Sequence, residues 1–272
     1  MNKKKNLHGL ALALALAGCT APADDQRSEN AGRIAGQGSL VSMPVSTTLP
    51  VRVWGRLATE EPVRIYIEGD GAAWRNSRQP SIDPTPHNPV ALKLAAADSH
   101  GSVLYLGRPC QYDANPARGC HFSEWTERRF AHVAELEQAI QQLVSAERKL
   151  ILVGFSGGAN MAVQLAARLP NVIGLVTVAG NLDTAAFTGY HRLRDEAFGH
   201  NAALLKGLST LPQLHYTGTD DVEIPPELTY LQLALVTNKR CLRVRELPGV
   251  GHGGPWHIDW PAFAALQQRC RP

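Results

Sequence analysis

Apolar and polar residues alternate across residues 62–71. Val63, Ile65 and Ile67 interleave with Arg64, Tyr66 and Glu68 before a glycine-rich turn, and this period of two predicts a strand. Further strands are predicted over residues 49–57, 101–107, 149–154, 171–180, 211–218 and 241–247. The run 149–154 is almost continuously apolar, as in a strand covered on both faces within a parallel sheet. Between these runs the apolar spacing changes to three and four. Val133, Leu136, Ile140 and Leu143 form one stripe in a helix predicted over 128–146. Helices are also predicted over 89–98, where proline is tolerated in the first turn, and over 157–169, 228–236 and 260–268. Ala162, Ala166 and Ala167 allow the 157–169 helix to approach the sheet closely. Strands alternating with helices through short connections predict an α/β fold, a mostly parallel central sheet flanked by helices. Residues 179–209 are less regular and read as a small excursion over the sheet edge. No internal repeat or second domain is evident.

The two ends of the chain read differently. Lys3, Lys4 and Lys5 precede a short apolar run that ends in Leu16-Ala17-Gly18-Cys19. The run is too short to span a bilayer and has the layout of an export signal. The four residues resemble the lipobox of bacterial lipoproteins. The resemblance implies removal of residues 1–18, lipid on Cys19 and, with Thr20 rather than aspartate following, attachment to the outer membrane. Residues 19–40 lack a steady period and are expected to be a flexible tether, with the folded domain spanning 41–272. The chain carries 27 Lys plus Arg and 24 Asp plus Glu. Without residues 1–18, which hold three lysines and no acid, the charges balance at 24 against 24. That balance gives no support to nucleic-acid binding, which wants a clustered positive surface. Of the five cysteines, four remain after Cys19, an even set that suggests disulfides in an exported chain. Three pairings exist. The favoured one joins Cys110 to Cys120, stapling one loop, and Cys241 to Cys270, tying a late strand to the last helix. A zinc site is less favoured, because no close CxxC pair occurs.

Gly154-Phe155-Ser156-Gly157-Gly158 fits the pattern G-x-S-x-G at a predicted strand-to-helix junction. There a serine sits on a tight turn, a bulky residue two positions to either side would collide, and the new helix offers free N–H groups. With the residues downstream, the stretch from about Val51 to Cys270 resembles the α/β-hydrolase superfamily. That resemblance implies the order nucleophile, acid, histidine, little or no lid, and no cofactor or metal. It implies Ser156 as nucleophile. Gly218, Asp221, Ile224 and Pro225 match the frame around the family's acid, pointing to Asp221, with Asp220 as second choice. Gly251-His252 matches the terminal glycine–histidine pair, making His252 the general base and acid. His257 is expected to cap or pack, His215 to lie in a buried strand, and His121 to be a candidate for lining the cleft. The oxyanion hole would use the amide of Gly157 and one from Glu68-Gly69-Asp70-Gly71, where the family often has a histidine and a glycine run. Asp70 is favoured, with Gly71 next, and the Asp70 carboxylate is expected to turn toward Arg78 or Arg108. Trp125 and Tyr112 are candidates for a rim, the alternative being a packed, stapled surface loop, and Trp74 and Trp256 for pocket walls or core filling.

These residues imply a serine hydrolase of small-molecule esters or thioesters acting through an acyl-enzyme, anchored in the cell envelope through lipid on Cys19. The alternatives are a non-catalytic binding or structural lipoprotein on the same fold, a peptidase, an acyltransferase or a lyase. The natural substrate and the oligomeric state are left open.

Overall fold

The computed structural model describes residues 23–76 and 78–270. Cys19 and the expected signal segment lie outside the described residues. The strands are β1 (Val41–Ser42), β2 (Val53–Arg56), β3 (Val63–Ile67), β4 (Trp74–Asn76), β5 (Gln79–Pro80), β6 (Val103–Leu106), β7 (Leu150–Phe155), β8 (Val172–Val178), β9 (Gln213–Gly218) and β10 (Leu242–Leu247). The helices are α1 (Ala23–Gln37), α2 (Val90–Ala97), α3 (Phe122–Trp125), α4 (Val133–Leu143), α5 (Gly157–Arg168), α6 (Thr184–His191), α7 (Ala202–Gly207), α8 (Pro226–Leu233) and α9 (Trp260–Cys270).

Eight strands form one sheet in the order β1-β2-β6-β3-β7-β8-β9-β10, while β4 and β5 make a separate hairpin. From β6 to β10 every pairing is parallel; β1 and β2 add an antiparallel edge. The continuous apolar runs divide between two faces. Val63, Ile65, Ile67, Leu150 and Leu152 pack with α4 and α5, whereas Tyr66, Ile151, Val153 and Phe155 pack with α2 and α9. Burial on both faces is why β7 shows no polar alternation. The excursion expected between 179 and 209 folds as α6 and α7.

A buried polar knot pins α2 to the sheet. Asp98, which caps α2, accepts from Arg64 Nη1 at 2.8 Å and from the Tyr66 hydroxyl at 2.6 Å. The Arg64 guanidinium lies 3.7 Å from the centroid of the Trp260 ring, so the same knot reaches α9.

The disulfides join Cys110 to Cys120 and Cys241 to Cys270, with Cα atoms 5.6 and 4.6 Å apart. The expected tether is corrected. Residues 23–37 are helical and belong to the folded unit, which starts well before Val41. Ala31, Ile34 and Ala35 sit at helical spacing and are buried against the group that includes Val90, Leu94 and Ala95 of α2. Arg27 donates to the Thr85 carbonyl at 2.7 Å and pairs with Asp83 at 2.5 Å. The helix has little intrinsic amphipathic signal because two of its three docking residues are alanines; its stability comes from tertiary contact.

Ile34→Asp would place a carboxylate in this dry seam. Release of α1 is expected, with amide hydrogen exchange across 27–37 rising to that of an unstructured segment. The cost, of the size of one buried isoleucine, is about 2 kcal/mol. Unchanged protection of these amides would show that the helix is not held by α2.

Candidate active site

Parallel strands deliver their carboxyl ends to one edge, and the sheet register sets which residues meet there. Ile67 of β3 lies opposite Gly154 of β7, so two residues further on Gly69 comes against Ser156. A Cβ on Gly69 would approach the Ser156 Cβ to 3.2 Å. Ser156 itself turns the chain sharply with φ 50° and ψ −123°, a conformation costly for a non-glycine residue, and α5 begins at the next residue. Both motif glycines are needed by close approach. A Cβ on Gly154 would lie 2.4 Å from Ala159 Cα, and one on Gly158 would lie 2.3 Å from the Ile67 carbonyl oxygen.

Asp221 follows β9 and His252 follows β10, and Gly218 and Leu247 at the ends of these strands are register partners. The structure brings the three side chains together. His252 Nδ1 lies 2.9 Å from Asp221 Oδ2, and His252 Nε2 lies 3.0 Å from Ser156 Oγ. An ionised carboxylate only accepts, so Nδ1 carries the proton, Nε2 is free to accept, and the serine hydroxyl donates to it. Asp221 is 2 % exposed. Its other carboxylate oxygen accepts from the amides of Glu223 and Ile224, both at 2.9 Å. Burial pushes the Asp221 carboxyl up, but the His252 hydrogen bond and charge and those two amides outweigh it, leaving it below its ordinary value. For His252, burial pulls down, while the Asp221 hydrogen bond and the carboxylates of Glu223, Asp221 and Asp70 prevail and raise it. Asp220, the second choice for the acid, is exposed, with its carboxylate accepting from Thr219 in the turn.

The loop after β3 is held by side chains on every side. Glu68 is fully buried. It accepts from the amides of Gly69, Ala91 and Leu92 and from the Tyr105 hydroxyl, at 3.0 to 3.4 Å. Burial pushes its carboxyl up to about 7, against the pull of those donors. Gln111 Nε2 donates to the Gly69 carbonyl at 2.9 Å. The Asp70 carboxylate packs on Gly157 and pairs with Arg108 at 3.0 Å and Arg129 at 3.1 Å. Arg78 takes no part. Arg129 continues to Glu196, making a chain of alternating charge. Among the described residues the amides of Asp70, Gly71 and Gly157 have no hydrogen-bond acceptor, leaving both second-donor candidates available.

Ser156 and His252 open into a cleft of about 450 Å³ whose walls include Trp74, His87, Arg129, Phe187 and Glu223. A larger cavity of about 720 Å³ lies beside it, beyond Gly253, and does not reach Ser156. Trp74 therefore walls the cleft. Trp256 lines the neighbouring cavity, while its indole N–H bonds the His252 carbonyl at 2.9 Å. His257 lines that cavity too and is exposed. His215 is fully buried beside Thr177 at 2.7 Å, and burial pushes it down to about 3. Three candidates are corrected. His121 is exposed at the start of α3 and takes no part in the cleft wall. Trp125 and Tyr112 form no rim: both are buried, Trp125 donating to the Ser81 carbonyl and Tyr112 sharing a hydroxyl contact with Tyr105. Their loop, stapled by its own disulfide, buries these two rings, while Phe122 stays exposed. Arg129, Phe187, Asn181 and Glu223 carried no motif; only the chain's return over the sheet edge brings them here. Among the described residues no group of His, Cys, Asp or Glu is arranged to hold a metal ion.

The sequence matches no family model, and comparison with curated proteins finds no match. Solved structures do match. A membrane phospholipase A, described as a bacterial virulence factor, superposes with TM-score 0.58 at 14 % identity, covering 91 % of this chain and 92 % of its own. The carboxylesterase CesB (YbfK) from Bacillus subtilis gives 0.55 at 10 % identity over 85 % and 92 % of the two chains. The serine hydrolase CarC of carbazole degradation gives 0.53 at 17 %, over 85 % and 98 %. The chain has the α/β-hydrolase fold.

The raised Glu68 carboxyl predicts a pH effect on stability. Between the ordinary carboxyl value and about 7, the folded chain keeps a proton that the unfolded chain has released. The stabilisation from this group is therefore complete at low pH and is lost as pH rises through the window, by about 3 kcal/mol in all. Glu68→Gln is expected to remove that slope. Urea unfolding of both proteins across this range should show the wild type losing ground to the variant as pH rises; parallel curves would contradict the assignment.

Proposed function

We propose that the protein is a serine hydrolase that cleaves carboxylic esters or thioesters through an acyl-enzyme. The observation that carries this reading is the unbroken hydrogen-bonded series from Asp221 through His252 to Ser156 at the mouth of an open cleft. Ser156 Oγ would attack the acyl carbon as His252 Nε2 takes its proton. The imidazolium formed would be stabilised by the Asp221 carboxylate and would return the proton to the departing alcohol or thiol. Water, deprotonated by the same imidazole, would then cleave the acyl-serine. The oxyanion would be met by the Gly157 amide and a second amide from the loop after β3, with Asp70 favoured and Gly71 next. The fold's occurrence in a phospholipase and in esterases is consistent with this chemistry without choosing a substrate.

We also propose that the domain is held at the cell envelope by lipid on Cys19, on the strength of the lipobox resemblance. No described helix is long and apolar enough to cross a membrane. Cells expressing the full chain with an alkyne-tagged palmitate should yield labelled protein, and Cys19→Ser should abolish the label; equal labelling of both would refute the anchor.

For the catalytic reading, a fluorophosphonate probe should label the wild type and leave Ser156→Ala unlabelled, with ester turnover down about a millionfold. Asp221→Asn should cost on the order of ten-thousandfold, because the imidazole then loses its fixed tautomer. Since the base must be neutral and His252 is raised, kcat/KM should climb with pH through an apparent pKa above the ordinary histidine value of about 6.5. Folded protein that takes no probe would point to a binding module on the same fold.

A further inference from the structure

The charged groups walling the cleft are unequally matched. Among the described residues, Glu68, Asp70 and Glu223 supply three carboxyl groups and Arg129 the one permanent cation. Asp70 is neutralised by Arg108 and Arg129, and Arg129 is shared with Glu196. Glu68 is sealed from solvent among its donors. Glu223 is different. Its side chain is 64 % exposed within the cleft, and among the described residues its carboxylate meets no Lys or Arg. Its nearest partner is His252 Nε2 at 3.5 Å, the atom that receives the Ser156 hydroxyl. Its main chain is firmly placed, the amide on Asp221 and the carbonyl accepting from His191 at 2.8 Å.

Two further observations point to the sign of the ligand. Asn181 is buried in the cleft wall, and among the described residues its Oδ1 has no hydrogen-bond partner. That oxygen is itself covered, so it bears on the cleft through its partial charge and not through direct contact. Trp74, 42 % exposed, lines the cleft together with Phe155 and Phe187, and aromatic faces attract cations.

We infer that Glu223 is a specificity-determining residue that selects esters carrying a positively charged alkylammonium group a few bonds from the scissile carbonyl, with the aromatic wall completing the cation's surroundings and the partial charge of Asn181 behind it. This inference rests on the hydrolase reading and narrows its substrate class. An anionic substituent at the same place meets an uncompensated carboxylate and is disfavoured. Because Glu223 also faces the imidazole, its removal alters the base for every substrate. Only a comparison between substrates isolates its effect on charge.

The experiment measures kcat/KM for choline esters and for the matching neohexyl esters, in which carbon replaces nitrogen, at whichever acyl length is cleaved fastest. The wild type should favour the cationic ester by about fivefold at low salt, the size of one exposed ion pair, and the preference should shrink as salt is added. Glu223→Gln should bring the ratio close to parity, and Glu223→Asp should retain part of it. Equal loss on both esters in Glu223→Gln would mean that the residue acts only through His252 and would overturn the inference. Wild-type parity between the two esters would do the same while leaving the hydrolase reading intact. Absence of turnover on any ester, with no fluorophosphonate labelling, would overturn both.

Discussion

The parallel pairing of β3, β7, β8, β9 and β10 is the constraint on which the site depends. Parallel strands end on the same edge, so loops distant in sequence leave the sheet side by side. Register then does finer work. With Ile67 opposite Gly154, the loop after β3 is brought against the serine turn; with Gly218 opposite Leu247, the acid and histidine loops leave together. A one-residue slip would exchange the two faces of a strand and move the loop by a residue spacing. At the end of β7 the close approach of Gly154 to Ala159, which leaves no room for a Cβ, opposes such a slip.

The second theme is negative charge under control. Asp221, Glu223, Asp70 and Glu68 all lie close to the serine, where chemistry at a carbonyl would place a developing oxyanion. Each is managed differently: Asp221 by the imidazole and two amides, Asp70 by two guanidinium groups, and Glu68 by burial that favours its protonated form. An unpaired buried carboxylate is costly, and removing a partner from such a pair typically costs about 3–5 kcal/mol. Arg108 and Arg129 thus make an aspartate tolerable beside Gly157. Glu223 stays in water and needs no partner to be stable, which leaves its field available to a ligand.

The departures from expectation share one cause. Residues 23–37 look unpatterned because alanine gives little hydrophobic contrast, yet Ala31 and Ala35 permit the close contact that α2 rewards. Trp125 and Tyr112 sit in a polar, cysteine-bearing loop and were candidates for a rim. The loop folds back so that their rings are covered and their polar tips find Ser81 and Tyr105. In each case burial is decided by what the segment meets, and that partner is far along the chain.

Periodicity and the glycines around Ser156 were legible in the chain itself, because strand alternation, helical stripes and steric demands at a tight turn are local; the order of serine, aspartate and histidine came from the resemblance. The preference for Asp221 over its neighbour came from the resemblance of residues 218–225 to the family's acid frame, but its burial and its contact with His252 belong to the folded molecule. Only the tertiary structure decided that Arg129 joins Arg108 on Asp70, that Glu223 stands 3.5 Å from the imidazole, and that α1 is part of the domain. The physical reason is range. Local sterics and propensity act over a few residues, whereas charge neutralisation and burial depend on which distant side chains the sheet edge gathers into one volume.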